Sequence, residues 1–219
     1  MTSPQPALAT LSAPNSAVSE AFRSLRTNLE FVALGRAVQT IVVSSPTLEE
    51  SKSNTVANLA IAFAQGGRSV IVVDADLRRP RQHTLFGMAN EVGLSDALLA
   101  AAETPLPLRD SAVEGLRLLS AGQRPPNPAE LLVSPAMGDL IARLREQAEV
   151  VLFDTPPIVP VMDGALLGAQ CDGLLLVMEA GKTTRDNASR ARLLLDQVGA
   201  TIIGTVLTNA KLDRSERGY

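Results

Sequence analysis

Aromatic residues are scarce in this sequence: its 219 residues include five Phe, one Tyr and no Trp. The lone tyrosine, Tyr219, is the last residue. Such a core must be filled by Leu, Ile, Val and Ala, which favours flat sheet-on-helix layers over an aromatic-rich binding surface. One cysteine, Cys171, excludes an internal disulfide framework and a cysteine-based zinc site. One histidine, His83, excludes a histidine-rich metal centre, and both residues are expected to have structural roles or none. No run approaches the roughly 18 consecutive apolar residues of a membrane span. The N-terminus lacks the basic start and apolar run of a secretory signal, so the cytoplasm is the expected compartment. Lys and Arg number 20 against 23 Asp and Glu, for a net charge of -3. Without a basic block, nonspecific nucleic-acid binding is not expected.

What is present is a hydrophobic fraction of 46% with 20% charged residues, the balance of one well-packed globular domain. Residues 1–17 are rich in Ala, Ser, Thr and Pro and read as a mobile arm, and 211–219 as a C-terminal tail. Val18, Phe22, Leu25, Leu29 and Val32 follow helical spacing and predict a helix over Val18–Leu34. Buried strands are expected at Thr40–Ser44, Ser69–Val73, Leu116–Leu119, Glu149–Phe153, Gly173–Met178 and Ile202–Leu207. Helical stretches intervene at about 50–65, 93–102, 128–147, 162–169 and 183–198. Apolar strands alternating with helices predict a single α/β domain over 18–210, with a mostly parallel sheet covered on both faces.

Ligands bind at the carboxyl ends of the strands in such a sheet. The first strand leads into Ser51-Lys52-Ser53-Asn54, the second ends in Asp74-Ala75-Asp76-Leu77-Arg78-Arg79-Pro80, and the strand at 149–153 ends in Asp154-Thr155-Pro156-Pro157. A strand, a loop with Lys-Ser and a following helix form the layout of a phosphate-binding loop. In that layout Lys52 reaches the outer phosphates and Ser53 helps hold Mg²⁺, with Asp74 and Asp154 completing the metal's shell. The bland alternatives are polar residues in a first helical turn and aspartates acting as turn caps. Arg78, Arg79 and Arg81 form a basic cluster equally consistent with phosphate binding and with salt bridges.

These motifs resemble those of the bacterial tyrosine kinases of capsule and exopolysaccharide synthesis, relatives of the partition and division-site ATPases. Glu20-Ala21-Phe22-Arg23-Ser24-Leu25-Arg26 is similar to that family's E-x-x-R-x-x-R helix. The two acidic strand ends, Pro125–Leu132 and Gly181–Arg185 are further family-like segments. The resemblance implies a P-loop NTPase-like fold that binds Mg-ATP through Ser51, Lys52, Ser53 and Asn54, with Asn209 near the base. It implies catalysis by Lys52, Asp74, Asp76 and Asp154, with Asp76 or Asp74 accepting the tyrosine proton, and trans-autophosphorylation at a C-terminal tyrosine, here Tyr219. It also implies self-association, as a ring or dimer, through Glu20, Arg23 and Arg26, although a solvated helix face with local pairing explains those residues equally well. The expected partner is a separate membrane-bound chain-length regulator that recruits the protein to the membrane without its inserting there.

The phosphate loop departs from the family pattern, which has glycine at the positions of Glu49 and Ser51. A non-glycine residue in the left-handed region costs about 1–2 kcal/mol. Glu49 also adds a charge, and two like charges about 4 Å apart repel by about 4 kcal/mol at an effective dielectric of about 20. The segment has a structural reading of its own. Thr47 to Glu50 has capping-box spacing, or Ser45 caps a helix with Pro46 at its first position. Either way the glutamates would sit at the positive end of the helix, in the niche phosphate fills. Three functions follow: a tyrosine autokinase, a non-catalytic scaffold of polysaccharide assembly, and a partition-type ATPase. The last has the least support, because Thr47 stands where those ATPases carry a signature lysine.

Overall fold

The strands are short and buried along their whole length, as runs of Val, Ile and Leu require. The computed structural model describes residues 8–35, 37–48 and 51–210. Among them β1 (Thr40–Ser44), β2 (Val70–Asp74), β3 (Arg109–Asp110), β4 (Leu116–Leu119), β5 (Val150–Asp154), β6 (Gly173–Glu179) and β7 (Ile202–Thr208) form one sheet in the order β3-β4-β2-β5-β1-β6-β7. Every pairing is parallel except that of the two-residue β3 with β4. The α/β reading therefore holds, and β3 is an addition too short to leave a periodicity.

Alternation along the strands divides the core into two layers. Ile41, Val43, Val70, Val72 and Leu152 face helix α3 (Lys52–Gln65), whereas Val42, Val73, Val151 and Phe153 face the other side. Helix α3 is buried nearly all round, because α2 (Ala17–Leu34) lies across it through Phe22, Leu25 and Leu29. Ser16 caps α2 by accepting from the Ser19 amide at 3.2 Å. Val18 and Val32, expected on the apolar stripe, overhang the α3 contact and are exposed, as are Phe31 and Leu34.

Within the stretch expected to be a mobile arm, the described residues pack on the domain. Short helix α1 (Ala9–Ser12) packs Leu8 and Thr10 against α3, where the Thr10 hydroxyl donates to Asn58 Oδ1 at 2.6 Å. Helices α4 (Gln82–Leu85) and α5 (Leu94–Leu99) follow β2. The helix expected over 128–147 divides into α6 (Pro128–Leu132) and α7 (Pro135–Arg145). Pro135 cannot donate an amide to continue a helix and starts a new one instead. Helix α8 (Asp163–Gly168) and helix α9 (Arg185–Val198) complete the layers, and α9 ends at Gly199 in the left-handed region.

Candidate active site

Strands β2, β5 and β1 are neighbours, so their carboxyl ends lie side by side. Asp74 is paired in register with Asp154, and Val43 of β1 with the same Asp154. By alternation Asp74 and Asp154 share the parity of Val72 and Leu152, which places both carboxylates on the face covered by α3. The segment after β5 is tied back to β1. Ser44 Oγ donates to the Pro156 carbonyl at 2.7 Å, and the Ile158 amide to the Ser45 carbonyl at 2.8 Å.

From β1 the chain turns through residues 45–48 and enters α3 at Ser51, whose φ of 59° and ψ of 18° lie in the left-handed region. Ser51 thus adopts the conformation that glycine would take most easily. The expected Ser45 cap does not form, and Glu50 of the expected capping box from Thr47 to Glu50 lies outside the described residues. A left-handed residue cannot belong to a right-handed helix, so α3 cannot begin before Lys52. Ser45 Oγ instead donates to the Thr47 carbonyl at 2.7 Å within the turn. Glu49 and Glu50, the residues expected to crowd the phosphate niche, lie outside the described residues, as does Tyr219.

Lys52 Nζ donates to Asp76 Oδ2 at 2.9 Å and to Asp154 Oδ1 at 3.4 Å, with Ser53 Oγ 3.5 Å away. Burial opposes the charge on Lys52, but Asp154 and then Asp76 outweigh it and raise the ammonium pKa. Asp74 is fully buried. Burial first, and the Asp154 charge second, push its carboxyl well above the usual carboxylate range. Asp74 Oδ2 accepts from the amides of Arg81 (2.9 Å) and Gln82 (2.8 Å), while Oδ1 has no partner.

Gln82 escaped the sequence reading. It is fully buried, and its side-chain amide donates to Asp154 Oδ2 at 2.8 Å and to the Ser53 carbonyl at 3.0 Å. It joins the second and third strand ends to α3. Only its place eight residues after Asp74 could have signalled this, since an uncharged side chain opening the four-residue α4 carries little pattern of its own.

Two cavities meet at Ser51 and Asn54. A polar one of about 390 Å³ is lined by Lys52, Ser53, Asp76, Arg79, Arg81 and Pro157 among others. A more apolar one of about 590 Å³ lies between α2, α3 and β7 and includes Phe22, Leu25, Asn58 and Asn209. The structure therefore brings together Ser51, Lys52, Ser53, Asn54, Asp74, Asp76 and Asp154, with Asn209 one cavity away. Asn209 also has a positive φ, 54°, and is exposed.

Other sequence candidates lie apart from this cluster. Glu20 pairs with Arg23 on the same helix, with Arg23 Nε 2.8 Å from Glu20 Oε2. Arg26 turns inward and donates to the Ala62 carbonyl near the end of α3 at 3.1 Å. The arginine run divides: Arg78 forms a two-pronged pair with Asp163 (2.8 and 3.2 Å), whereas Arg79 and Arg81 line the polar cavity. Cys171 lies beside the start of β1, and burial pushes its thiol up to about 12. His83, in α4, contacts Thr84 Oγ1 at 3.1 Å.

No sequence-family profile matches the chain. It is 40% identical over 207 residues to the tyrosine-protein kinase YwqD of Bacillus subtilis, covering 94% of this chain and 87% of that protein. It is 31% identical over 206 residues to the putative tyrosine-protein kinase CapB of Staphylococcus aureus, covering 94% and 90%. The kinase domain of the Escherichia coli tyrosine kinase Etk superposes with a TM-score of 0.89 at 31% identity, over all of this chain and 86% of that one. The chimerical protein CapA2B2 gives 0.86 at 35%, over 91% and 88%. The septum site-determining protein MinD of Pyrococcus horikoshii, solved with Mg-ADP, shares the fold at a TM-score of 0.64 and 18% identity, over 82% and 75%. With a P-loop NTPase-like sheet, an acidic cluster around Lys52 and relatives of this kind, the chain belongs to the bacterial tyrosine kinase family of capsular and exopolysaccharide biosynthesis.

Proposed function

We propose that this chain is a tyrosine autokinase that uses Mg-ATP to phosphorylate Tyr219 of a neighbouring copy, and so regulates capsular or exopolysaccharide synthesis or export. The observation that carries this reading is the Lys52–Asp76–Asp154 cluster against the first turn of α3. Asp154, Asp74 and the Ser53 hydroxyl offer hard oxygen donors, which suit Mg²⁺. Among the described residues no three His, Cys, Asp or Glu side chains form a metal cage. Mg²⁺ at nucleotide sites takes one or two carboxylates, with phosphates and waters supplying the rest. The partnerless, buried Asp74 Oδ1 suits an outer-shell place, where water would satisfy it. A bound Mg²⁺ would neutralise charge on the phosphoryl oxygens.

Lys52 would exchange Asp76 and Asp154 for phosphate oxygens, one set of anionic partners for another. Release from Lys52 leaves Asp76 facing the polar cavity, whereas Asp74 is closed off and raised by burial. Asp76 is therefore the proton acceptor. As the tyrosine oxygen attacks the γ-phosphorus, its O–P bond forms and its proton passes to Asp76. The bond from the γ-phosphorus to the bridging oxygen breaks, and ADP leaves with that electron pair. The more apolar cavity would take the purine, with Asn209 available to hydrogen-bond the base. A separate membrane-bound chain-length regulator would activate and recruit the kinase; no helix among the described residues is long and apolar enough to cross a membrane.

The test is incubation of the purified protein with Mg-ATP and the candidate activator fragment, followed by mass spectrometry of Tyr219. Phosphate should be found on the unaltered protein and be absent from Lys52→Ala. An unmodified Tyr219 in both would overturn the kinase reading. One observation favours a second reading, a non-catalytic scaffold: Glu49 and Ser51 replace two loop glycines. Calorimetric titration separates the two, since micromolar Mg-ATP binding would remove the motive for the scaffold.

A further inference from the structure

Arg79 and Arg81 are exposed and line the polar cavity, yet among the described residues neither guanidinium has a hydrogen-bond or ion-pair partner. Arg78, from the same run, is committed to Asp163. The backbone beneath the two free arginines is nevertheless fixed to the site's own carboxylates. The Arg79 amide donates to Asp76 Oδ1 at 2.9 Å, and the Arg81 amide to Asp74 Oδ2 at 2.9 Å. Two cations are thus mounted on an anchored loop at the cavity wall. Lys52 holds the other oxygen of Asp76, Oδ2, and lines the same cavity as the two arginines.

On that layout, and resting on the kinase reading above, we infer that Arg79 and Arg81 form an anion-binding subsite for the acceptor polypeptide. Lys52, Ser53 and the α3 N-terminus supply the donors for the nucleotide phosphates. The arginines line the cavity through which the group that gives Asp76 its proton must arrive, and the Arg79 amide holds the Asp76 oxygen that Lys52 leaves free. An anion close to the acceptor hydroxyl along the chain would meet two planar forks suited to oxyanions. That anion is a carboxylate flanking the tyrosine, or the phosphoryl group on a tyrosine already modified. In this chain Glu216 stands three residues before Tyr219.

Fluorescence polarisation with the full-length protein tests this without requiring turnover. Three labelled peptides are used: a tyrosine flanked by glutamates, the same with glutamines, and the glutamine peptide with phosphotyrosine. The unaltered protein should bind at least one anionic peptide about tenfold more tightly than the neutral one. In R79A/R81A that preference should vanish while Mg-ATP affinity stays within about twofold. Which anionic peptide loses its advantage identifies the source of the anion. The inference is overturned if the unaltered protein shows no preference, if the double variant keeps it, or if Mg-ATP binding weakens in parallel with the peptide. Failure of the kinase reading would be seen separately, as an unmodified Tyr219 alongside an intact peptide preference.

Discussion

At the scale of single residues, Asp74 makes a prediction about pH. Its folded pKa lies above its unfolded one because burial and the Asp154 charge disfavour ionisation. The folded protein therefore holds more protons than the unfolded chain between the two values, and stability falls as pH rises through the folded pKa. Asp74→Asn, which keeps an oxygen acceptor for the Arg81 and Gln82 amides, should raise the melting temperature at pH 7. The gain should shrink as pH approaches about 4, the unfolded carboxylate range. A gain that does not change with pH would place the effect elsewhere. Asp74, Asp76, Asp154 and Lys52 were legible in the sequence because strand-end carboxylates beside a Lys-Ser loop form a recognisable pattern. Gln82 was not, since its role depends on where the short α4 folds back onto α3.

At the scale of elements, the entry to α3 decides how well the loop works. Ser51 has left-handed dihedrals with a Cβ present, so Ser51→Gly should stabilise the protein by up to about 1 kcal/mol, part of the relief being offset by the greater freedom of the unfolded chain. Adding Glu49→Gly should strengthen Mg-ATP binding in calorimetry, because it removes a carboxylate from the segment leading into the positive end of α3. Unchanged affinity in the double variant would mean that Glu49 does not oppose phosphate. Helix α2 offers a contrast between two arginines. Arg26 donates to a main-chain carbonyl of α3, and Arg26→Ala should lower stability by about 1.5–3 kcal/mol. Arg23, paired only with groups near its own helix, should cost less than about 0.5 kcal/mol on the same change. Chemical denaturation of the two variants checks this. Helical spacing found α2 and α3 in the sequence, but the beginning of α3 was misplaced. Propensity and cap rules describe right-handed starts, and a left-handed serine is chosen by the surrounding fold.

At the scale of the molecule, the proposed self-association needs a surface outside the core, and α2 supplies one. Phe31 is 66% exposed and Leu34 80% exposed on a helix that also presents the Glu20–Arg23 pair. Light scattering of the purified protein should show an oligomer that E20A/R23A shifts towards monomer, with melting temperature little changed. A monomeric unaltered protein would confine that pair to a local role. The parallel sheet was readable because apolar strands alternated with helices. The order that sets β5 between β1 and β2 was not, because spatial order comes from crossovers that leave no periodicity.

That placement of β5 has a consequence for assembly. Phe153 and Asp154 are adjacent and face opposite layers. A slip of one residue along either neighbour would turn the phenylalanine towards Lys52 and drive the carboxylate into the apolar layer beside α7. The sheet therefore proofreads its own site: a chain zipped out of register meets a prohibitive desolvation cost before it can form a weakened version of the cluster. Impaired variants of this protein should accordingly divide into correctly built molecules with a local defect and molecules that fail to fold, with few states between.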